Sequence, residues 1–188
     1  MTAAPVDYQT IFQNVIEDSR YMGNIDWGEP RAGHPEGSIR AHITDLEANL
    51  EKFRDRISDE EWWKLRLLIH THDTFKGPAA PGVSIVHPHS HASLARAFLT
   101  EYCDDADLLA MVQFHDEPFA LYRQFEHKRH FDTARFEKLL KTIHDWDLFL
   151  LFNIIDGSTA GKSRDPLRWF FQRIEGRIQS RFTAADIL

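Results

Sequence analysis

Cysteine is almost absent from this chain: Cys103 is its one thiol. One cysteine excludes an internal disulfide, and no base stands beside it in the sequence to activate it as a nucleophile. Long apolar runs are missing as well. The longest, Leu148 to Ile155, is interrupted by Asn153 and is far too short to span a bilayer. The opening residues, Met-Thr-Ala-Ala-Pro-Val-Asp, have neither the basic nor the apolar region of a secretory signal, so a reducing cytoplasm is expected and a membrane is not. Net positive charge is lacking too. A formal charge of −7 argues against a surface for duplex nucleic acid, which needs a concentrated basic face. Locally the balance reverses, from Lys162 to Arg181 and again at Arg123, Lys128 and Arg129. Most of these side chains read as solvated helix faces, with one or two available to hold a phosphate. No alternating stretch is long enough to build a sheet, no repeat or heptad register is present, and Val83–Val86 is the one short piece that reads as extended.

What remains is apolar and helical. An apolar share of 43%, with 14 Phe and 5 Trp in 188 residues, describes a single globular domain with a substantial core, compatible with an oligomer. Helical periodicity covers Val6–Met22, Ser38 to about Arg56, and a segment opened by the capping box Ser58-Asp-Glu-Glu61 that runs to His72. Further helices are expected over 90–102, 105–115, 118–128, 133–141 and 144–156. The last starts at Asp165-Pro166, an N-cap and N1 pair, and runs to about Phe182. The class is all-α: a single-domain helical bundle over 1–188, with the 6–22 and 165–182 helices packed on a core of about 33–168.

Eleven histidines, spread from His34 to His144 inside patterned sequence, make metal binding or proton transfer the first hypotheses. The run His-Thr-His-Asp-Thr-Phe-Lys at 70–76 closes an apolar segment. Leu65, Leu68 and Ile69 lie at helical spacing from His72, so its imidazole projects from a buried face, and Asp73 follows from an adjacent direction. His42, His91, His115 and Asp156 each stand at or near the end of a helical segment. Imidazole and carboxylate without thiolate suit Mn²⁺, Fe²⁺, Co²⁺, Ni²⁺ or Mg²⁺ better than structural zinc. The simplest partition gives one metal His42, His72 and Asp156, gives the other His91 and His115, and lets Asp73 bridge them. Two such ions about 3.5–4 Å apart would clamp a phosphoryl group and bring a bridging water's pKa toward neutrality.

Taken in order, His42, His72-Asp73, His91, His115 and Asp156 resemble the HD-domain metal-dependent phosphohydrolases of the binuclear type. Gly33-His-Pro-Glu-Gly-Ser-Ile-Arg-Ala-His42 looks like the segment that leads into the HD domain of some bacterial tRNA nucleotidyltransferases. His72-Asp-Thr-Phe-Lys76 is similar to the His-Asp-x-x-Lys form found in HD hydrolases. The resemblance covers roughly 33–168. It implies a central metal site and hydrolysis of a small phosphorylated metabolite, a nucleotide for preference. A Gly-Tyr-Pro sequence after His115 is absent, which demotes cyclic dinucleotides. In His87-Pro-His-Ser-His91, His91 directly precedes its helix, as the family's third histidine does, and His89 is left to the surrounding shell or the substrate.

Around the ligands, Lys76 reads either as a phosphate contact or as a solvated helix-end cation. His34 reads as a substrate or water contact, and Glu36 as the group that orients the nucleophilic water. Asp116 is either a general acid or a cap. Lys162 and Arg164 are placed to meet substrate phosphate. His70 is expected in a surface or loop-packing role rather than as a ligand, and His127, His130 and His144 are expected to be structural or exposed. Gly157-Ser-Thr-Ala-Gly-Lys-Ser163 is not a phosphate-binding loop, because three residues rather than four separate its glycines and no βαβ unit surrounds it. Two rivals use the same ligands: a mixed-valent di-iron oxygenase on the same scaffold, and a non-catalytic metal-stabilised nucleotide-binding module. Lys76 and the His-Pro-Glu-Gly segment favour hydrolysis.

Overall fold

Ten α-helices make up the described part of the protein, each placed by a local signal in the chain. The structure is a computed structural model that describes residues 6–188; the start of the amino terminus, read above for a leader, lies outside the described residues. In order the helices are α1 (Tyr8–Glu17), α2 (Ser19–Asn24), α3 (Ile39–Glu51), α4 (Asp59–Thr71) and α5 (His91–Thr100). They continue with α6 (Ala106–Phe114), α7 (Glu117–Lys128), α8 (Thr133–Thr142), α9 (Trp146–Gly157) and α10 (Asp165–Ile174). Among the described residues there is no strand, only an isolated bridge between Arg31 and His34. The fold is all-α.

Serine or aspartate caps eight of these helices through its side chain, each accepting a first-turn N–H. At α4 both halves of the expected capping box form: Ser58 Oγ accepts from Glu61 N at 3.2 Å, and Glu61 Oε2 accepts from Ser58 N at 2.7 Å. The exceptions are α7 and α10, which have no side-chain cap and carry proline in the first turn.

Several expected boundaries move. The helix read over 6–22 breaks at Asp18, whose backbone turns extended (ψ 133°) so that its carboxylate can cap α2. The helix read to Arg56 ends at Glu51, followed by a 3₁₀ turn over Arg54–Arg56. The last helix stops at Ile174 rather than Phe182, because Glu175 leaves helical geometry and Gly176 takes a left-handed φ of 72° that glycine adopts without strain. Its cap is one residue earlier than expected, Arg164 in place of Asp165. Val83–Val86 forms irregular backbone and a turn rather than an extended piece.

Helix α4 is the axle of the molecule, in contact with α1, α3, α5, α6 and α9. Leu65, Leu67, Leu68 and Ile69 are all buried, so most of the circumference of its second half is apolar, with Arg66 and His70 on the remaining side. The run Leu148–Ile155 is the matching buried helix, α9, and no helix is long and apolar enough to cross a membrane. Phe12 and Val15 fix α1 on α4, while Trp169 and Phe170 fix α10 on α7 and α9. Gly157, the last residue of α9, is required by that packing: a Cβ there would fall 2.7 Å from Leu167 Cδ1.

Candidate metal centre

Helix ends assemble the site. His42 stands in the first turn of α3 and His91 is the first residue of α5. His72 and His115 are the C-cap residues of α4 and α6, each followed by an aspartate, and Asp156 sits in the last turn of α9. The carboxyl-terminal ends of α4, α6 and α9 therefore converge, and their partial negative charge favours a cation.

Three groups of candidate ligand atoms result: two flank Asp73, and the third, His34, Glu36 and His42, shares His42 with one of them. In the first, His42, His72 and Asp156 bring one atom each to within 4.8 Å of one another, and His42 Nε2 is 2.9 Å from Asp156 Oδ1. In the second, Asp73, His91 and His115 do the same, with the two Nε2 atoms 3.2 Å apart. Asp73 faces both. Its Oδ2 is 3.4 Å from His72 Nε2, while its Oδ1 lies 3.6 Å from His115 Nε2 and 3.8 Å from His91 Nε2. This is the expected partition, with Asp73 between the groups.

The histidine tautomers follow from their backs. His72 Nδ1 lies 2.9 Å from Ile69 O and His115 Nδ1 lies 2.8 Å from Val112 O. A carbonyl oxygen only accepts, so in the neutral rings Nδ1 carries the hydrogen and Nε2 turns a lone pair into the site. His72 Nε2 and Asp73 Oδ1 are buried without any hydrogen-bond partner. Orphaned lone pairs of this kind are costly to bury, and a divalent cation of the borderline class satisfies them. The residues fit a metal.

Electrostatics agree. Burial depresses the His72 pKa below its ordinary value. Burial also disfavours charge on His115, but Asp116 and Asp73 outweigh it and raise its pKa, so a proton there does part of a cation's work. Burial opposes ionisation of Asp73, yet His72 and Lys76 hold its carboxyl well below the usual range. Asp156 is held low in the same way, against burial, by Lys162 and His42.

Beside the groups lies a cavity of about 410 Å³. Lys76, Lys162, His34 and Asp116 line it together with His115 and Asp156. Lys76 Nζ is 2.5 Å from Asp73 Oδ2 and Lys162 Nζ is 2.7 Å from Asp156 Oδ1, so each ammonium stands directly behind a candidate ligand. The lining also includes Pro118 and Phe119 at the start of α7, and Pro166 and Leu167 at the start of α10, so the two helices without side-chain caps both begin at this cavity.

Asp116 is not a cap: its side chain bonds no first-turn N–H, and its Oδ2 lies 3.5 Å from His91 Nε2 and 3.8 Å from His115 Nε2. Burial opposes its ionisation, but His115 and His91 keep its pKa low, so it stands as a carboxylate beside the two imidazoles. Its signal was in the sequence, since His115-Asp116 repeats the His72-Asp73 pair at the end of a second apolar helix.

Other residues expected at the site lie elsewhere. His89 is exposed and outside the cavity lining. Arg164 is also outside it, its guanidinium donating to the carbonyls of Gly157, Ser158, Thr159, Lys162 and Leu188, where it holds the chain that leaves α9. Glu36 does not line the cavity; it sits behind His34 and His42. His70 is half-buried in a network with Tyr21 and Glu47 rather than in loop packing, whereas His127, His130 and His144 are exposed. Cys103 is buried, which pushes its thiol pKa up and keeps it unreactive.

No known protein family, curated protein or solved structure matches the chain. The all-helical fold and its two His/Asp groups are compatible with an HD domain.

Proposed function

We propose that the protein is a metal-dependent phosphohydrolase of the HD type, cleaving a phosphoester of a small metabolite, with nucleotides as the first class to test. The observation that carries this reading is the placing of Asp73 between two His/Asp groups beside a cavity lined by Lys76 and Lys162. Divalent ions held by the two groups would offset phosphoryl charge and acidify a coordinated water. The chain's own residues supply the rest. Lys76 and Lys162 neutralise the non-bridging oxygens. Asp116 holds His91 and His115 in place from the cavity side, and Pro118, Phe119 and Leu167 exclude bulk solvent from the organic part of the substrate.

The test is metal content by elemental analysis of protein purified without chelator, read beside phosphate release from nucleotides and phosphoesters with added Mn²⁺, Co²⁺, Ni²⁺ or Mg²⁺. About two metals per chain and release of phosphate are expected for a binuclear site. Bound iron with O₂ consumption and no phosphate release would overturn the proposal in favour of an oxygenase. A site loaded with metal but inert in both assays would overturn it in favour of a binding module.

A further inference from the structure

One polar residue interrupts the apolar core of α9. From Leu148 to Ile155 every side chain is apolar and buried except that of Asn153, a residue itself only 8% exposed. It belongs to the cavity face of the helix: Asn153, Asp156 and Gly157, at positions i, i+3 and i+4, all line the cavity. Its amide is oriented by the turn beneath it. Asn153 Nδ2 donates to Phe149 O at 2.8 Å, and because a carbonyl only accepts, Oδ1 is the end turned away. That oxygen takes no hydrogen bond from any described residue and is not sealed from solvent, so it opens on the cavity.

The fold alone does not account for this amide. Asn49, the other buried asparagine among the described residues, spends both ends on structure: Nδ2 donates to Ile155 O at 3.0 Å and ties α3 to α9, while Oδ1 accepts from Lys52 at 2.8 Å. Asn153 ties α9 to no other element. Its one bond returns to its own helix, to a carbonyl that the helical ladder already supplies with the Asn153 N–H. A buried amide used in this way costs stability against an apolar side chain of the same size. We infer that Asn153 is a specificity-determining residue whose Oδ1 accepts a hydrogen bond from a hydroxyl of the substrate, which narrows the substrate class to phosphoesters with free sugar hydroxyls, ribonucleotides ahead of their deoxy counterparts. A hydroxyl suits this acceptor better than an ammonium, because Lys76 and Lys162 already bring two ammonium groups to the cavity. The position agrees. Side chains one helical turn apart stand about 5–6 Å from each other, so Asn153 meets a donor a few bonds away from a phosphoryl group held beside Asp156.

This inference rests on the cavity being a phosphoester site, and the experiment separates the two. The full-length protein as purified, with Mn²⁺ added, is offered the adenine, guanine, cytosine and uracil nucleoside 5′-monophosphates, each beside its 2′,3′-dideoxy counterpart. Phosphate release gives kcat/KM, and calorimetry with the non-hydrolysable phosphonate analogues of the same pairs gives Kd. The wild type should prefer the ribonucleotide by about 10–100-fold in both readouts, the effect of leaving one buried acceptor unpaired. In Asn153→Leu, a near-isosteric change, the preference should vanish through a loss on the ribonucleotide alone, with a thermal midpoint at or above that of the wild type. A wild type that releases phosphate from both members of each pair alike would overturn the inference and leave the phosphohydrolase standing. So would an Asn153→Leu protein that loses both members equally or melts well below the wild type, since the amide would then belong to the fold. Discrimination in Kd without phosphate release would sink hydrolysis and leave Asn153 in its role, and a wild type that neither binds nor cleaves any of the pairs would overturn both.

Discussion

At the scale of single residues, Asp73 and Lys76 are hydrogen-bonded neighbours with separable duties. Asp73 turns one oxygen to each ligand group, so no other side chain at the centre replaces it. Lys76 touches Asp73 and the cavity but has no lone pair for a metal while it stays charged, and it does: burial disfavours its ammonium, but Asp73 and Asp116 more than offset this and raise its pKa. The two variants should therefore fail differently. Asp73→Ala should lose both metals and all phosphate release. Lys76→Met should keep its metals and lose about 10²–10³-fold in kcat, the usual effect of deleting one group that meets transition-state charge. Elemental analysis and steady-state kinetics on both variants check this; a metal-replete, active Asp73→Ala protein would refute the ligand assignment, and unchanged kcat in Lys76→Met would remove lysine from the reaction.

At the scale of elements, the ligand helices are aligned by a polar clamp far from the cavity. His70, in the last turn of α4, takes the hydroxyl of Tyr21 on α2 at 2.6 Å through Nδ1, and reaches Glu47 on α3 at 3.0 Å through Nε2. Glu47 also accepts from Arg66 at 3.0 Å. Since a carboxylate accepts the Nε2 hydrogen, Nδ1 is the acceptor for Tyr21, whose hydroxyl pKa burial pushes up to about 12. Burial alone would raise the Glu47 pKa, but His70 and Arg66 bring it below its ordinary value. A carboxyl whose folded pKa lies below its unfolded value of about 4.3 contributes stability that is present above that pH and lost as pH falls through the folded value. Glu47→Gln should accordingly lower stability by roughly 1.5–3 kcal/mol at neutral pH and flatten the acid limb of a urea-midpoint profile; an acid limb as steep as the wild type's would show that the clamp is not what acid breaks. The clamp also marks the limit of what the chain reveals on inspection. Apolar periodicity and helix-end residues made the helical class and the ligand set legible, because both are local patterns. The break at Asp18 and the stop before Gly176 rest on a cap and a left-handed glycine that periodicity overran, whereas the partners of Glu36, His70 and Arg164 depend on which segments meet, and no local pattern encodes that. Asp116 lies between the two cases, since its His-Asp pair was visible while its direction toward His91 was not.

At the scale of the whole molecule, helix ends gather at one place. The carboxyl-terminal ends of α4, α6 and α9 and the amino-terminal ends of α3 and α5 meet at the ligand groups, and α7 and α10 begin at the adjoining cavity. The same arrangement sets how stability must answer to pH and metal together. Without metal, His115 has a raised pKa, so its ion pairing with Asp116 and Asp73 is fully present below about pH 6.5 and is lost as pH rises through its folded value. His72, with its pKa depressed by burial, acts oppositely: it penalises the fold as pH drops below about 6.5. A metal needs both rings neutral, so it competes with the proton on His115 and gains affinity as pH rises. The thermal midpoint should consequently respond little to Mn²⁺ near pH ~5.5 and progressively more toward pH ~8. There, Mn²⁺ at about 100 times its Kd should add about 2.7 kcal/mol, or roughly 5–10 °C for a chain of this size. Thermal melts with and without Mn²⁺ across that range test the point. An equal shift at both ends would mean that carboxylates alone bind the ion, and the two His/Asp groups would then have to be given up as the centre of this protein.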